Sequence, residues 1–229
     1  MSHSPAAIFF DVDFTLIYPG PTFQGEGYAR FCGRYGIDVD PASFNEAVKA
    51  ASSVLDEEQE HVYDTRIFVR YTRRVIEEMG GTGDRLDDCA REIYDEWATC
   101  GHFFLYDDVA PALQALFARG FKLGLISNSH RCLQSFQQHF QLQGMIAAAV
   151  SSSEHGYMKP HPSIFEAAML LAGVPASQSV MVGDSLSHDI EGARRAGMRG
   201  VLVHRSTDPA PHAPGVPVVR SLTELVELL

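Results

Sequence analysis

Ile8-Phe9-Phe10-Asp11-Val12-Asp13-Phe14-Thr15-Leu16 is the stretch from which the rest of the chain can be read. Ile8-Phe9-Phe10 is a short apolar run of the kind found in a parallel strand buried on both faces. The run ends in an acid. Burying Asp11 without a metal, a cation or a proton would be costly, so the strand end marks a place for charge chemistry.

Working outward, the next strand pattern is Phe121 to Ile126. The long stretch between is helical in pattern. Phe68, Tyr71, Val75 and Met79 recur at helical spacing and Gly80-Gly81 ends that helix, while Leu86, Ala90, Ile93 and Trp97 form a second stripe. Two weaker helices fit Phe23 to Arg34 and Pro41 to Leu55, and no strand pattern is visible in this segment. After Phe104 helices and strands alternate. Asp108 is placed to cap a helix carrying Val109, Leu113, Leu116 and Phe117. Strands are expected at Met145–Val150, Ser179–Val182 and Gly200–Val203. Helices are expected around Leu133–Phe140, Pro162–Gly173, Ile190–Gly197 and Ser221–Leu229.

That alternation predicts an α/β fold, a doubly wound parallel five-stranded Rossmann-like core. Residues 1–16 and 105–229 would form it, and 17–104 would be an inserted helical domain, since such a length is a module rather than a loop.

Four features then fall at one edge of the sheet. Asp11 and Asp13 end the first strand, Ser127-Asn128 the second, and Gly183-Asp184 the fourth, with Asp189 five residues on from Asp184. Lys159-Pro160 precedes the helix after the third. Open α/β sheets bind ligands outside the carboxyl ends of their strands. Singly, each is an ordinary turn or surface feature. Their recurrence on successive strands is what points to one site.

The chain has 229 residues and a formal net charge of −11. There is no Lys/Arg cluster for a nucleic-acid partner, no apolar run near the ~20 residues of a membrane span, and no basic-then-apolar leader pattern at the N-terminus. The four cysteines, Cys32, Cys89, Cys100 and Cys132, contain no C-x-x-C pair and read as reduced thiols. A cytoplasmic protein, monomeric or a small homo-oligomer, is expected. The ten histidines show no H-E-x-x-H or comparable ligand spacing, and Arg66, Arg70, Arg73 and Arg74 read as the solvated face of a helix. Tyr18, Phe23, Phe103, Phe104 and Tyr106 flank the two junctions of the insertion and are expected to pack there.

Asp11-Val12-Asp13-Phe14-Thr15-Leu16, Ser127, Lys159 and Gly183-Asp184 with Asp189 resemble, in order and spacing, the four motifs of the haloacid dehalogenase superfamily. The helical insertion resembles the cap of its helical-capped members. The resemblance implies a Mg²⁺-dependent phosphatase acting on a small-molecule phosphate monoester through an aspartyl-phosphate. In that reading Asp11 is the nucleophile, and Asp13 protonates the leaving oxygen and then activates water. Ser127 contacts the phosphoryl oxygens with help from the Asn128 backbone, and Lys159 offsets negative charge. Asp11, Asp184 and the Asp13 carbonyl hold Mg²⁺, while Asp189 stands behind them, orienting the metal's waters or Lys159. Phe14 departs from the family pattern, which often has Gly or Asp there.

Other family chemistries fit less well. The family dehalogenases lack an acid at the Asp13 position, and a phosphonate hydrolase would need a cap lysine, for which only Lys49 is available. A phosphomutase shares all four motifs. A non-catalytic binding protein would have no physical need for the full set.

Overall fold

The computed structural model describes residues 4–56 and 60–229. Residues 1–3, part of the N-terminal segment read above for a leader, lie outside them. The strands are β1 (Ala7–Phe10), β2 (Ile17–Pro19), β3 (Phe103–Leu105), β4 (Lys122–Ser127), β5 (Ile146–Ser151), β6 (Ser179–Gly183), β7 (Arg199–Val203) and β8 (Val218–Val219). The helices up to the second junction are α1 (Gly25–Arg34), α2 (Phe44–Ala51), α3 (Thr65–Glu78) and α4 (Leu86–Glu96). After it come α5 (Val109–Ala118), α6 (Leu133–His139), α7 (Ser152–His155), α8 (Pro162–Ala172), α9 (Gly192–Arg195) and α10 (Leu222–Leu228). The chain divides into two compact units, Met1–Tyr18 with Leu105–Leu229, and Pro19–Phe104.

The first unit is a parallel six-stranded sheet in the order β5-β4-β1-β6-β7-β8. The strand sequence runs outward from β1 in both directions, so β1 sits at the point where strand order reverses. The five expected strands are all present. The sixth, β8, is a two-residue edge strand, too short to show a period in the sequence. Inner strands are buried on both faces, as the apolar runs require: β1 and β6 have no exposed residue.

Helix α8 shows how the sheet is covered. His161 caps it, accepting the Ser163 N–H, Pro162 opens it, and Gly173 ends it in the left-handed region at φ 62°. Its Ile164, Phe165, Ala168 and Met169 pack with Phe9, Ile126 and Met181 of the sheet. Each large apolar side chain so removed from water contributes roughly 1.5–3 kcal/mol. Where a helix was expected around Ile190, the chain forms a wide turn of π geometry over Leu186–Glu191 and then α9.

Asp108 behaves differently from expectation. It makes no side-chain cap to α5. Its carboxylate instead accepts the Leu222 N–H at 2.6 Å and pairs with Arg205 at 3.1 Å. Asp108 has helical rather than extended backbone geometry, φ −82° and ψ −12°, and its oxygens are taken by the guanidinium and by the first amide of α10.

The second unit is helical. Asp64 caps α3, accepting the Arg66 N–H at 2.9 Å. Phe23, Trp97 and Phe103 cluster, with centroids of 4.6 Å for Phe23–Trp97 and 5.0 Å for Trp97–Phe103. Phe104 and Tyr18 are partly exposed, and the Tyr18 ring lies 4.9 Å from that of Tyr106. Arg66, Arg73 and Arg74 pair with Asp64, with Glu77 and Asp87, and with Glu78, as a solvated helix face does. Cys32 and Cys89 are buried with their sulfurs 3.8 Å apart, whereas Cys132 is exposed. The absence of a strand pattern in residues 17–104 was misleading at the ends: β2 and β3 pair as a two-stranded sheet. Three-residue strands leave no period to read. Among the described residues, no helix is long and apolar enough to cross a membrane.

Candidate active site

The register of the sheet decides which side chains meet. Phe10 lies level with Leu125 on β4 and Val182 on β6. One residue further, Asp11 leaves β1 where β4 is reaching Ser127 and β6 is reaching Gly183-Asp184. Its own N–H still donates to the Val182 carbonyl at 2.9 Å, which holds the carboxyl at the sheet edge.

Lys159 closes the group from the segment before α8. Its Nζ donates to Asp11 Oδ1 at 2.5 Å and to the Ile126 carbonyl at 2.9 Å, and pairs with Asp189 Oδ1 at 2.7 Å. The other Asp189 oxygen accepts the Ser185 N–H at 3.0 Å. Gly183 makes this approach possible, because a Cβ there would lie 2.2 Å from Asp189 Oδ2. Asp184, next in the chain, accepts a hydrogen bond from Thr15 at 3.4 Å.

The electrostatics follow from three acids gathered on one lysine. Loss of hydration raises the Asp11 carboxyl well above its usual range; Lys159 opposes this, and the Asp189 and Asp184 charges add to it. Asp184 is solvent-exposed as a residue, but its carboxyl is crowded by protein, and that crowding, with the Asp189 charge, lifts it to about 7. For Lys159, burial works against the charge, but Asp11 and Asp189 outweigh it and hold the ammonium protonated beyond its ordinary range.

Asp11, Asp184 and Asp189 each offer a carboxylate oxygen, all within 4.8 Å of one another. A set of hard oxygens with more negative charge than one lysine neutralises fits a divalent cation of the Mg²⁺ type. Both Asp189 oxygens already have protein partners, so Asp11 and Asp184 are the acids with an oxygen to give.

Asp13 turns elsewhere. Both of its oxygens lie 3.0 Å from Nη1 of Arg131. Ser127 is fully buried, and its Oγ shares a hydrogen with Ser129 Oγ at 2.9 Å. The Asn128 side chain is committed to the backbone of Lys159, accepting its N–H at 2.7 Å and donating to its carbonyl at 2.9 Å.

Three residues at this site went unread in the sequence. Arg131 lies in the same loop as Ser127, and that proximity was the available signal. Thr15 sits inside the first motif. Arg205, far along the chain, donates to the Thr15 carbonyl at 2.9 Å and stacks 3.8 Å over the Tyr106 ring. Nothing local announces it. Phe14, half exposed, takes φ 64°, the conformation that makes glycine the unstrained residue at this position.

Residues 5–197 match the family model described as haloacid dehalogenase-like hydrolase. The chain is 31% identical over 240 residues to N-acylneuraminate-9-phosphatase of Mus musculus, covering 97% of this chain and 93% of that one. It is 29% identical over 229 residues to haloacid dehalogenase-like hydrolase domain-containing protein 3 of Danio rerio, covering 95% and 93%. Among solved structures, a 2-haloacid dehalogenase from Pseudomonas syringae pv. Tomato DC3000 superposes with a TM-score of 0.63 at 26% identity, covering 98% and 97% of the two chains.

Proposed function

The chain belongs to the haloacid dehalogenase-like hydrolases, and on that footing we propose that it is a divalent-metal-dependent phosphatase of a small-molecule phosphate monoester. The observation that carries this reading is the convergence of Asp11, Lys159, Asp184 and Asp189 at the reversal point of the sheet.

Asp11 is the nucleophile: a carboxylate oxygen attacks phosphorus, the ester oxygen leaves, and an aspartyl-phosphate results. Asp13 gives its proton to the leaving oxygen. It then takes a proton from the water that attacks the aspartyl-phosphate, releasing inorganic phosphate and regenerating Asp11. Lys159 bonds the nucleophile and lies where phosphoryl charge would develop. The hydroxyl of Ser127 and the backbone of Asn128 are the donors for the phosphoryl oxygens.

Asp11, Asp184 and the Asp13 carbonyl would hold Mg²⁺, with Asp189 behind them fixing Lys159 and the Ser185 amide. When bound, the ion neutralises charge on the phosphoryl group. A dehalogenase reading, suggested by the Pseudomonas structure, leaves the acid at Asp13 and the acid cluster without work; buried carboxylates are costly to retain for nothing. Lys49, the lysine needed for phosphonate chemistry, lies exposed on α2.

The test is hydrolysis of p-nitrophenyl phosphate and a panel of phosphorylated metabolites, with Mg²⁺ and with chelator. Sugar-acid phosphates head the panel because the murine relative's name points to them. Activity that needs Mg²⁺ and disappears in Asp11→Asn supports the reading. Metal-independent turnover, or an Asp11→Asn variant at wild-type rate, refutes it.

A further inference from the structure

Arg131 is among the largest fully buried side chains of the protein. A guanidinium cannot be deprotonated to escape burial, so it must be held by acceptors. Those acceptors are the two carboxylate oxygens of Asp13, each 3.0 Å from Nη1, with Arg131 at 0% and Asp13 at 19% side-chain exposure. The two residues are separated by 118 positions and come from different strand ends.

The loop carrying Arg131 is itself fixed. Ser129 Oγ bonds Ser127 Oγ at 2.9 Å and accepts the Arg131 N–H at 3.4 Å. The Ser129 carbonyl accepts from Ser152 Oγ at 3.4 Å. Asp13 lies at a tight turn in which Phe14 N–H donates to the Ile17 carbonyl at 2.7 Å. Two anchored backbones therefore meet through one ion pair, and that pair fixes the direction of the Asp13 carboxyl. It also draws that carboxyl to a cation separate from Lys159, which is already shared by Asp11 and Asp189.

We propose that Arg131 is the positioning residue for Asp13, aiming the carboxyl that transfers the leaving-group proton. This rests on the phosphatase reading. Because one Nη1 serves both oxygens, a small rotation leaves one oxygen on Arg131 and presents the other, carrying the proton, to the ester oxygen. The proton passes to the departing alkoxide as its bond to phosphorus breaks. The same oxygen, now unprotonated, accepts a proton from the attacking water. Arg131 touches neither substrate nor phosphorus.

The experiment compares two esters in each of wild type, R131M, R131K, D13N and D13N/R131M. An alkyl phosphate needs a proton on its leaving oxygen; 2,4-dinitrophenyl phosphate does not. General acid catalysis supplies about 10²–10⁴-fold, so misdirecting the acid should cost R131M roughly 10–100-fold in kcat on the alkyl ester and about threefold or less on the aryl ester. KM and the Mg²⁺ concentration for half-activity should stay within about twofold, with R131K in between, and R131M should add little to D13N. Equal losses on both esters, or a full further loss in the D13N background, would overturn the assignment. Should R131M not fold, the ester ratio of R131K decides in the same way, since it is internal to one sample. A wild type inactive on both esters overturns the phosphatase reading and this assignment with it, whereas an active wild type with a flat ester ratio in the variants overturns the assignment alone.

Discussion

The side chain of Asn128 grips the backbone of Lys159 from both sides, accepting its N–H at 2.7 Å and donating to its carbonyl at 2.9 Å. An amide carries its acceptor and its donor on separate atoms, so it satisfies an N–H and a C=O together. The segment that delivers Lys159 to Asp11 is thus fastened to the end of β4.

Asn128→Ala should therefore loosen Lys159. Two lost hydrogen bonds at about 1 kcal/mol each predict a stability loss of roughly 2 kcal/mol. Turnover should fall by more than the unfolded fraction explains. Urea unfolding with parallel rate measurements checks this, and a variant unchanged in both would show that the clasp is idle.

Gly183→Ala places a methyl where Asp189 now stands, 2.2 Å from Oδ2 and 2.3 Å from Cγ. Overpacking of this kind costs about 1–3 kcal/mol, and displacement of Asp189 removes one partner of Lys159. The double variant Gly183→Ala/Asp189→Ala regains the space, so its loss should be smaller than the sum of the single losses. Additive losses would mean the methyl is accommodated elsewhere.

Phe14 holds φ 64°. A side chain in the left-handed region costs about 1–2 kcal/mol, of which glycine's greater freedom in the unfolded chain takes back part. Phe14→Gly should then be more stable than Phe14→Ala by about 1 kcal/mol, the alanine variant having lost the ring but kept the strain. Denaturant midpoints for the two decide it. Equal midpoints would place no strain at this turn.

Asp184 is lifted from 3.8 to about 7 in the folded chain. An acid raised by folding binds its proton more tightly there than in the unfolded chain. Its contribution is most favourable below about pH 4 and is lost as the pH rises through about 7. Without metal, Asp184→Asn should lack that decline and match or exceed wild-type stability near pH 8, the two converging as the pH falls. With Mg²⁺ the order should reverse, because a ligand held only by the folded wild type stabilises it. Melting curves across pH, with and without Mg²⁺, test both halves. A variant stabilised by Mg²⁺ as strongly as wild type would remove Asp184 from the metal site.

The elements that were legible share one property: their signal lies within a few neighbouring residues. Ile8-Phe9-Phe10 announced a buried strand because both faces of β1 are covered. Pro162 and Gly173 marked the ends of α8 because each has a backbone preference of its own. The acids and the lysine stood out because strand ends in an alternating pattern can be counted along the chain. The two-residue β8 and the three-residue β2 and β3 have too little length for a period, and Asp108 looked like a cap until Arg205 was there to claim it.

The alternation of strand and helix around an interrupting helical segment is written in local periodicity, and so is the placing of Asp11, Asp13, Ser127 and Asp184 at strand ends, with Lys159 ahead of α8 and Asp189 five residues past Asp184. Which partner each of those side chains holds is set by how the chain packs. That packing gives Lys159 to Asp11 and Asp189, Arg131 to Asp13, Asn128 to the Lys159 backbone and Arg205 to Thr15. Such pairings depend on strand order and register across the sheet, which bring together residues from about thirty to 190 positions apart, and a long-range ion pair leaves no mark on the residues next to it in the chain.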